Sequence, residues 1–394
     1  FGSSRQRQGR SPSACKAMPQ SSALFVLVAL AAPALGGRAS GYSHEPGPVA
    51  DNPDWMSGLH DSLRLSEISI PGTHDTMAIH GGDAAVTQSM SLQDQLRSGI
   101  RAIDIRCSHE HDACALHHGI VDQRADLADA LGILLDFLDS HPGETVLMRV
   151  GDGEVRGRDN SRSFEQTWAS YRERFDRLRA ASGGFFWPAP RAQGQPCWTD
   201  WAWPTPAEIN PTLGETRGKV VVLQNFPDGR GFGDCYGLPY SRAFRVQDRW
   251  DMATYWDLYD KWEAVKAQLK EAAAGPRDLI YFNYLSAAAG AEPYFVASGQ
   301  QTPATDAPRL ATGRRAASRH DASAWAPDFP RTDCIPGSCA VLFEGTNVLA
   351  AQHLLRALAA GHRARIGVVM ADFPGRDLVN AVIAQNPPPR AGSA

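Results

Sequence analysis

The chain has 394 residues, 43% of them hydrophobic, enough for one large domain or two ordinary ones. Its 39 basic and 43 acidic side chains nearly cancel, which removes the basic footprint that nucleic-acid binding requires. With 36 glycines and 27 prolines, the composition is that of a loop-rich globular protein rather than a disordered one.

Near the start, A-L-F-V-L-V-A-L-A-A-P-A-L runs without a charge and is followed by the small residues Gly36-Gly37 and Arg38-Ala39-Ser40. The run is short for a bilayer span but suits the apolar region of a secretory signal, with cleavage near 36–40. On this reading residues 1–17, ahead of Met18, are an upstream extension, residues 1–40 are leader, and the mature protein is extracellular; an uncleaved anchor is the alternative. Cysteine usage agrees with export. Cys15 precedes the expected cleavage point, leaving Cys107, Cys114, Cys197, Cys235, Cys334 and Cys339. Short spacing favours Cys107–Cys114 and Cys334–Cys339, with Cys197–Cys235 remaining, although six cysteines allow fifteen pairings. None of the spacings is a zinc-ligand pattern.

After a polar lead-in at 40–60, the apolar run Leu65, Ile68, Ile70 stops at Pro71-Gly72 and a His-Asp pair, His74-Asp75, follows at once. A short helix is expected at 91–98 and a strand at 100–106 (I-R-A-I-D-I-R). Another strand at 113–118 ends in H-H-G. Residues 124–140 place Leu127, Leu131, Leu134, Leu135 and Leu138 at helical spacing, and T-V-L-M-R-V at 145–150 is a buried strand. A long helix is expected at 163–181, then an aromatic-rich loop at 183–206. That loop either packs over the fold or faces a lipid interface. Strands at 219–224 and 243–247, a helix at 253–274 and a strand at 278–284 follow. Residues 287–340 read as an irregular insertion, and helix 347–361, strand 365–371 and helix 375–385 close the series.

Strands beginning near 65, 100, 113, 145, 219, 243, 278 and 365 make eight, most of them separated by helices. That rhythm predicts parallel β/α units closing as a distorted (β/α)8 TIM barrel of the α/β class, a single catalytic domain over 50–385. An open doubly wound sheet is the rival, but no Gly-rich phosphate loop follows the first strand.

Barrel chemistry sits at the C-terminal ends of strands. Those ends carry His74 and Asp75, then Asp104 and Arg106, then His117 and His118, and finally Asp372. Two imidazoles supply a base and an acid that titrate near neutrality. A carboxylate beside each fixes its tautomer, and an arginine clamps a phosphate oxyanion. The natural substrate for that set is a phosphodiester, with no metal required.

The segments I-S-I-P-G-T-H-D-T, R-A-I-D-I-R, L-H-H-G, P-G-E-T-V-L-M and V-V-M-A-D-F together resemble the catalytic domain of phosphatidylinositol-specific phospholipase C, in its bacterial-type and fungal secreted forms. The resemblance covers about 50–385, with 287–340 outside it. It implies a lyase reaction that yields diacylglycerol and a 1,2-cyclic inositol phosphate, and a monomer working at a membrane surface. By motif position His74 is the general base, Asp372 its orienting carboxylate, His118 the general acid with Asp75 as its partner, and Arg106 the phosphate clamp. Eukaryotic relatives hold calcium with an acidic residue where this chain has Arg106. The resemblance therefore implies no cofactor, with Asp104 left as a lone carboxylate.

The chain departs from the bacterial pattern where the headgroup is held. Gly151 stands at the end of the fourth strand in place of a lysine, and Asn225 at the end of the fifth in place of an arginine. Arg149, two residues before Gly151, shares its face and either substitutes for the lysine or forms an interior ion pair. Asp248 and Trp250 correspond to an inositol-hydroxyl carboxylate and a stacking aromatic. Two further readings are a related barrel phosphodiesterase for another glycerophospho- or sphingolipid headgroup, and a lipid- or carbohydrate-binding relative without turnover.

Overall fold

A computed structural model describes residues 40–110, 113–152, 183–187, 209–225, 237–240, 244–316, 331–335 and 338–388, with single positions at 177, 180 and 181. The expected leader, the Cys197–Cys235 pair, most of the helix at 163–181 and most of the aromatic loop lie outside the described residues.

In chain order the first strands are β1 (Ile70–Thr73), β2 (Ala102–Glu110), β3 (Ala113–His118), β4 (Val121–Asp126), β5 (Thr145–Asp152), β6 (Lys219–Asn225), β7 (Gly237–Pro239) and β8 (Phe244–Gln247). Then come β9 (Asp251–Met252), β10 (Ile280–Tyr284), β11 (Ala288–Ala289), β12 (Ala311–Ala316), β13 (Arg331–Ile335), β14 (Ser338–Leu342) and β15 (Val368–Ala371). Eight of them curl side by side in the order β7-β6-β5-β2-β1-β15-β10-β8, and each adjacent pair is parallel. This is the distorted barrel expected, open between β7 and β8 among the described residues.

Strand alternation builds two apolar layers. On β5, Val146, Met148 and Val150 join Ile103 and Ile105 of β2 against Leu127, Leu131, Leu134 and Leu138 of the helix Leu127–Ser140. The intervening Leu147 packs instead with Ala102, Val221, Phe282 and Met370 in the barrel interior. Sheets covered on both faces read as continuous apolar runs, which is why these strands were visible in the sequence. Gly72 is required inside: a Cβ there would lie 2.5 Å from Met370 Sδ and 2.9 Å from Ala102 Cβ.

Three expectations are corrected. The strand at 113–118 is not a barrel strand. It runs antiparallel to β2, because a two-residue connection can make a hairpin but not a parallel crossover. Its place among the eight is taken by β7, only three residues long. The helix expected from 124 begins at Leu127, since Asp126 is its N-cap: Asp126 Oδ1 accepts from Ala128 N at 2.7 Å, and Asp129 Oδ2 accepts from Asp126 N at 2.9 Å. Residues 287–340 are not irregular throughout. They hold the helix Pro293–Ser298, with proline at its first turn and Gly299 in the left-handed region after it, and most of the antiparallel sheet β12-β14-β13. Its backbone sets Cys334 opposite Cys339, whose side chains lie outside the described ones.

At the end of the strands away from His74, Arg101 and Glu144 form a fully buried pair at 2.9 Å. Arg101 Nη1 also donates to the carbonyls of Leu96 and Ile100 at 2.7 and 2.8 Å, and Glu144 Oε1 accepts from Ser57 N at 2.9 Å. The pair ties the starts of β2 and β5 to the lead-in segment. Among the described residues no helix is long and apolar enough to cross a membrane.

Candidate active site

The barrel's parallel register brings the polar strand ends together. His74 follows β1 directly, its backbone N donating to Ala371 O at 3.1 Å, and β15 runs alongside, so Asp372 emerges next to it. His74 Nδ1 lies 2.8 Å from Asp372 Oδ1. Its other nitrogen, Nε2, is 2.7 Å from Arg106 Nη2. A guanidinium only donates, so Nε2 holds the lone pair and Nδ1–H donates to Asp372. The imidazole is thus neutral, with its basic nitrogen facing the mouth of the barrel.

Asp75, 3% exposed, is the hub. Its Oδ1 lies in ion-pair contact with Arg106 Nε at 2.6 Å, while Oδ2 lies 3.4 Å from His118 Nε2 and 3.4 Å from His74 Nε2. Such a position has a backbone cost: Asp75 adopts φ 41°, a left-handed conformation that non-glycine residues rarely take outside strained sites. His118 Nδ1–H donates to Ala85 O at 2.6 Å, which aims Nε2 back toward Asp75. The two imidazole rings stand 6.5 Å apart, nearly perpendicular.

Asp104 braces the clamp from below. It accepts from Arg106 Nη2 at 3.2 Å and pairs with Arg149 Nη1. Arg149 also lies 5.1 Å over the Tyr240 ring, and Asn225, with its amide oxygen turned inward, accepts from Arg149 Nη2 at 2.5 Å. Arg149 therefore forms the interior ion pair, one of the two roles open to it in the sequence. Gly151 leaves room around that network, since a Cβ there would meet only Asn225 and Arg149, at 3.5 and 3.6 Å.

Charge follows burial. Desolvation pushes the His74 imidazole well below its usual value, and Arg106 beside it acts the same way. Burial also lifts Asp75 above the usual carboxylate range, against the pull of Arg106. Burial and the charge of Asp75 raise Asp372 well above that range. At Asp104 burial works upward, but Arg149 and Arg106 outweigh it and hold the carboxyl low.

One ligand atom each of His74, Asp75 and Asp104 lies within 4.8 Å of the others, a spacing that a cation could use. Arg106 already donates to Asp104 and to the imidazole, and it lies in ion-pair contact with Asp75 at 2.6 Å. The oxygen set a hard divalent ion needs is thus engaged by a permanent organic cation, and the residues do not fit a metal.

Asp248 and Trp250 follow β8 on the rim; both are exposed, Trp250 at 57%. No described bond joins either to the histidine centre. Sequence reasoning missed Tyr284, whose ring stands edge-on to His74 at 5.9 Å and whose hydroxyl meets Tyr240 at 2.8 Å. It ends a strand that had been recognised, so the rule that found Asp372 applied equally to it. It also missed Gln88, which donates to His74 O at 2.8 Å, and Asn347, which donates to Asp372 O at 2.7 Å. Neither lies at a strand end.

No family model matches the chain. Over 222 residues it is 33% identical to the 1-phosphatidylinositol phosphodiesterase of Listeria monocytogenes, covering 52% of this chain and 62% of that protein. Over 274 residues it is 29% identical to a protein of the same name from Staphylococcus aureus, covering 63% and 80%. The chain thus spans under two thirds of the Listeria relative. Among solved structures, the phosphatidylinositol-specific phospholipase C of L. monocytogenes superposes with a TM-score of 0.55 at 22% identity, covering 86% of this chain and all of that one. The S. aureus phospholipase gives 0.56 at 22% identity, covering 86% and 98%. At that identity the superpositions speak for the fold.

Proposed function

We propose that this chain is a member of the phosphatidylinositol-specific phospholipase C X-domain family and an exported phosphodiesterase of the lyase type. It would cleave phosphatidylinositol, or its glycan-anchored derivatives, to diacylglycerol and 1,2-cyclic inositol phosphate. The observation that carries this reading is the meeting of two imidazoles and one guanidinium on the single carboxylate of Asp75.

His74 Nε2 takes the proton of the inositol 2-hydroxyl, and that oxygen attacks phosphorus. Asp372 stabilises the imidazolium that results. Arg106 turns from Nε2 to the phosphate, where it neutralises the charge that builds on the non-bridging oxygens. The bond to the diacylglycerol oxygen breaks, and His118 Nε2–H protonates the departing alkoxide with Asp75 behind it. Asp104 and Arg149 hold Arg106 in place, while Asp248 and Trp250 stand where a headgroup would extend. With Arg106 acting as the cation, the reaction needs neither calcium nor another cofactor.

The substrate surface is a membrane. Ile120, 90% exposed at the β3–β4 turn, and Ile79, 43% exposed in the loop after Asp75, flank the acid and give the mouth an apolar rim for peripheral contact. The apolar leader supports export. Gly151 and the engagement of Asn225 by Arg149 favour a second reading, in which the same chemistry serves a different lipid headgroup.

Phosphorus NMR of the protein with phosphatidylinositol vesicles and a chelator tests the assignment. A cyclic phosphate resonance that vanishes in His74→Ala is expected. Turnover of another phosphodiester with none on inositol lipids would overturn it.

A further inference from the structure

The proposed acid stands outside the barrel's own ladder. Among the described strands β3 pairs only with β2 and β4. β2 changes partner along one edge: β1 pairs with it only through Ile103, and β3 takes that edge from Cys107, opposite Leu116, while β5 holds the other edge through Cys107, opposite Asp152. Arg106 immediately precedes this handover, and His118 lies two residues beyond Leu116. His74, by contrast, follows β1, which is flanked by β2 and β15 within the barrel. The distance from base to acid is therefore set across a junction where one strand leaves the sheet.

Beyond the β2–β3 ladder, the hairpin is tied by His118 Nδ1–H to Ala85 O and by Gln123, which exchanges bonds with the backbone of His80. A hairpin standing off a sheet is marginal by itself. The β3–β4 ladder shifts register between Ala115 and His117, where β4 carries extra residues and Arg124 takes φ 57°. The Cys107–Cys114 disulfide crosslinks β2 to β3 with Cα atoms 5.1 Å apart, and both cysteines are buried with Leu116, Leu127 and Leu131. The bond closes a loop of sequence separation 7, so its chain-entropy effect on the whole fold is smaller than that of a long crosslink. What it fixes is local.

We infer that Cys107 and Cys114 are positioning residues for the general acid, their bond holding β3 so that His118 faces the departing oxygen beside Arg106. This rests on the reaction proposed above. Removing the bond lets His118 drift while His74, Asp372 and the barrel stay in place, so the loss falls on protonation of the leaving group.

The test compares two soluble inositol phosphodiesters, one with an alkyl leaving group and one with a nitrophenol that departs without an acid. In Cys107→Ala/Cys114→Ala, kcat on the alkyl ester is expected to fall roughly ten- to a hundredfold, the scale of a misplaced acid, while the nitrophenyl ester changes less than about threefold. In a His118→Ala background, the same cysteine changes are expected to have no further effect on either ester. Equal losses on both esters, or none on either, would overturn the inference. Retained nitrophenyl turnover reports that the variant is folded. If it is not, Cys107→Val/Cys114→Ala, which refills the volume, carries the same comparison. Wild-type protein inert toward both esters refutes the reaction itself, a separate result.

Discussion

Lys261 offers the sharpest quantitative test of the electrostatics behind the rim. It sits in the helix Leu258–Ala274 with no exposed surface, its Nζ 3.5 Å from Gln247 Oε1. Burial drives the ammonium down from 10.5 to about 7, with Asp248 and Asp372 resisting. The unfolded chain keeps its proton up to about 10.5, so across the window from 7 to 10.5 it binds a proton that the native state lacks. Native stability must therefore rise with pH through that window, and the cost of the buried amine is fully present below about 7. At ~1.4 kcal/mol per unit, the whole shift amounts to roughly 5 kcal/mol, of which about 3 kcal/mol is recovered between pH 7 and 9.5. Lys261→Met keeps the length and removes the titration. Urea unfolding followed by tryptophan fluorescence at pH 7, 8.25 and 9.5 should show the wild type gaining on the variant by that amount. Parallel profiles for the two proteins would refute the reasoning.

The remaining predictions follow from the same geometry. Asp372→Asn leaves an acceptor for His74 Nδ1–H but removes the charge that steadies the imidazolium, so kcat should fall about a thousandfold with KM little changed, read by steady-state kinetics. Arg106→Met removes the neighbour that helps depress His74. Beyond a large loss of rate, the acid limb of the residual kcat/KM profile should move to higher pH; an unmoved limb would show that burial alone sets it. Ile120→Asp places a charge on the apolar rim and should weaken binding to phospholipid vesicles in a sedimentation assay at least severalfold, with turnover of a soluble inositol phosphodiester kept. Glu144→Ala strands the fully buried Arg101 and should cost about 3–5 kcal/mol in denaturant unfolding, far from the chemistry.

The candidate centre was legible because an apolar strand that stops at a polar pair announces itself. That pattern delivered His74, Asp75, Arg106 and Asp372 without any knowledge of which strands are neighbours. Asp104 and Arg149 lie opposite each other in the β2–β5 register, so their pairing follows once those strands are adjacent. Adjacency is not written in local periodicity, and the sequence therefore left two roles open for Arg149. β7 was invisible for another reason: three residues, one of them proline, carry no period. The antiparallel turn of β3 was misassigned because counting strands says nothing of their direction; the short connection did. Lys261 was hidden by its type, since a lysine on an amphipathic helix is ordinarily a solvated one.

The pairing of β15 with β1 has a consequence for biosynthesis. His74 and Asp372 are separated by 298 residues, and they meet only when the later strand docks beside the earlier one. At a translation rate of about 5–20 residues per second, the histidine waits roughly 15 to 60 seconds for its carboxylate. During that interval β1 presents an open edge, and the imidazole has no fixed tautomer. A nascent chain stopped before Asp372 would carry the acid and the phosphate clamp but no oriented base. On the reaction proposed above, turnover begins only once the later strand has been made and docked.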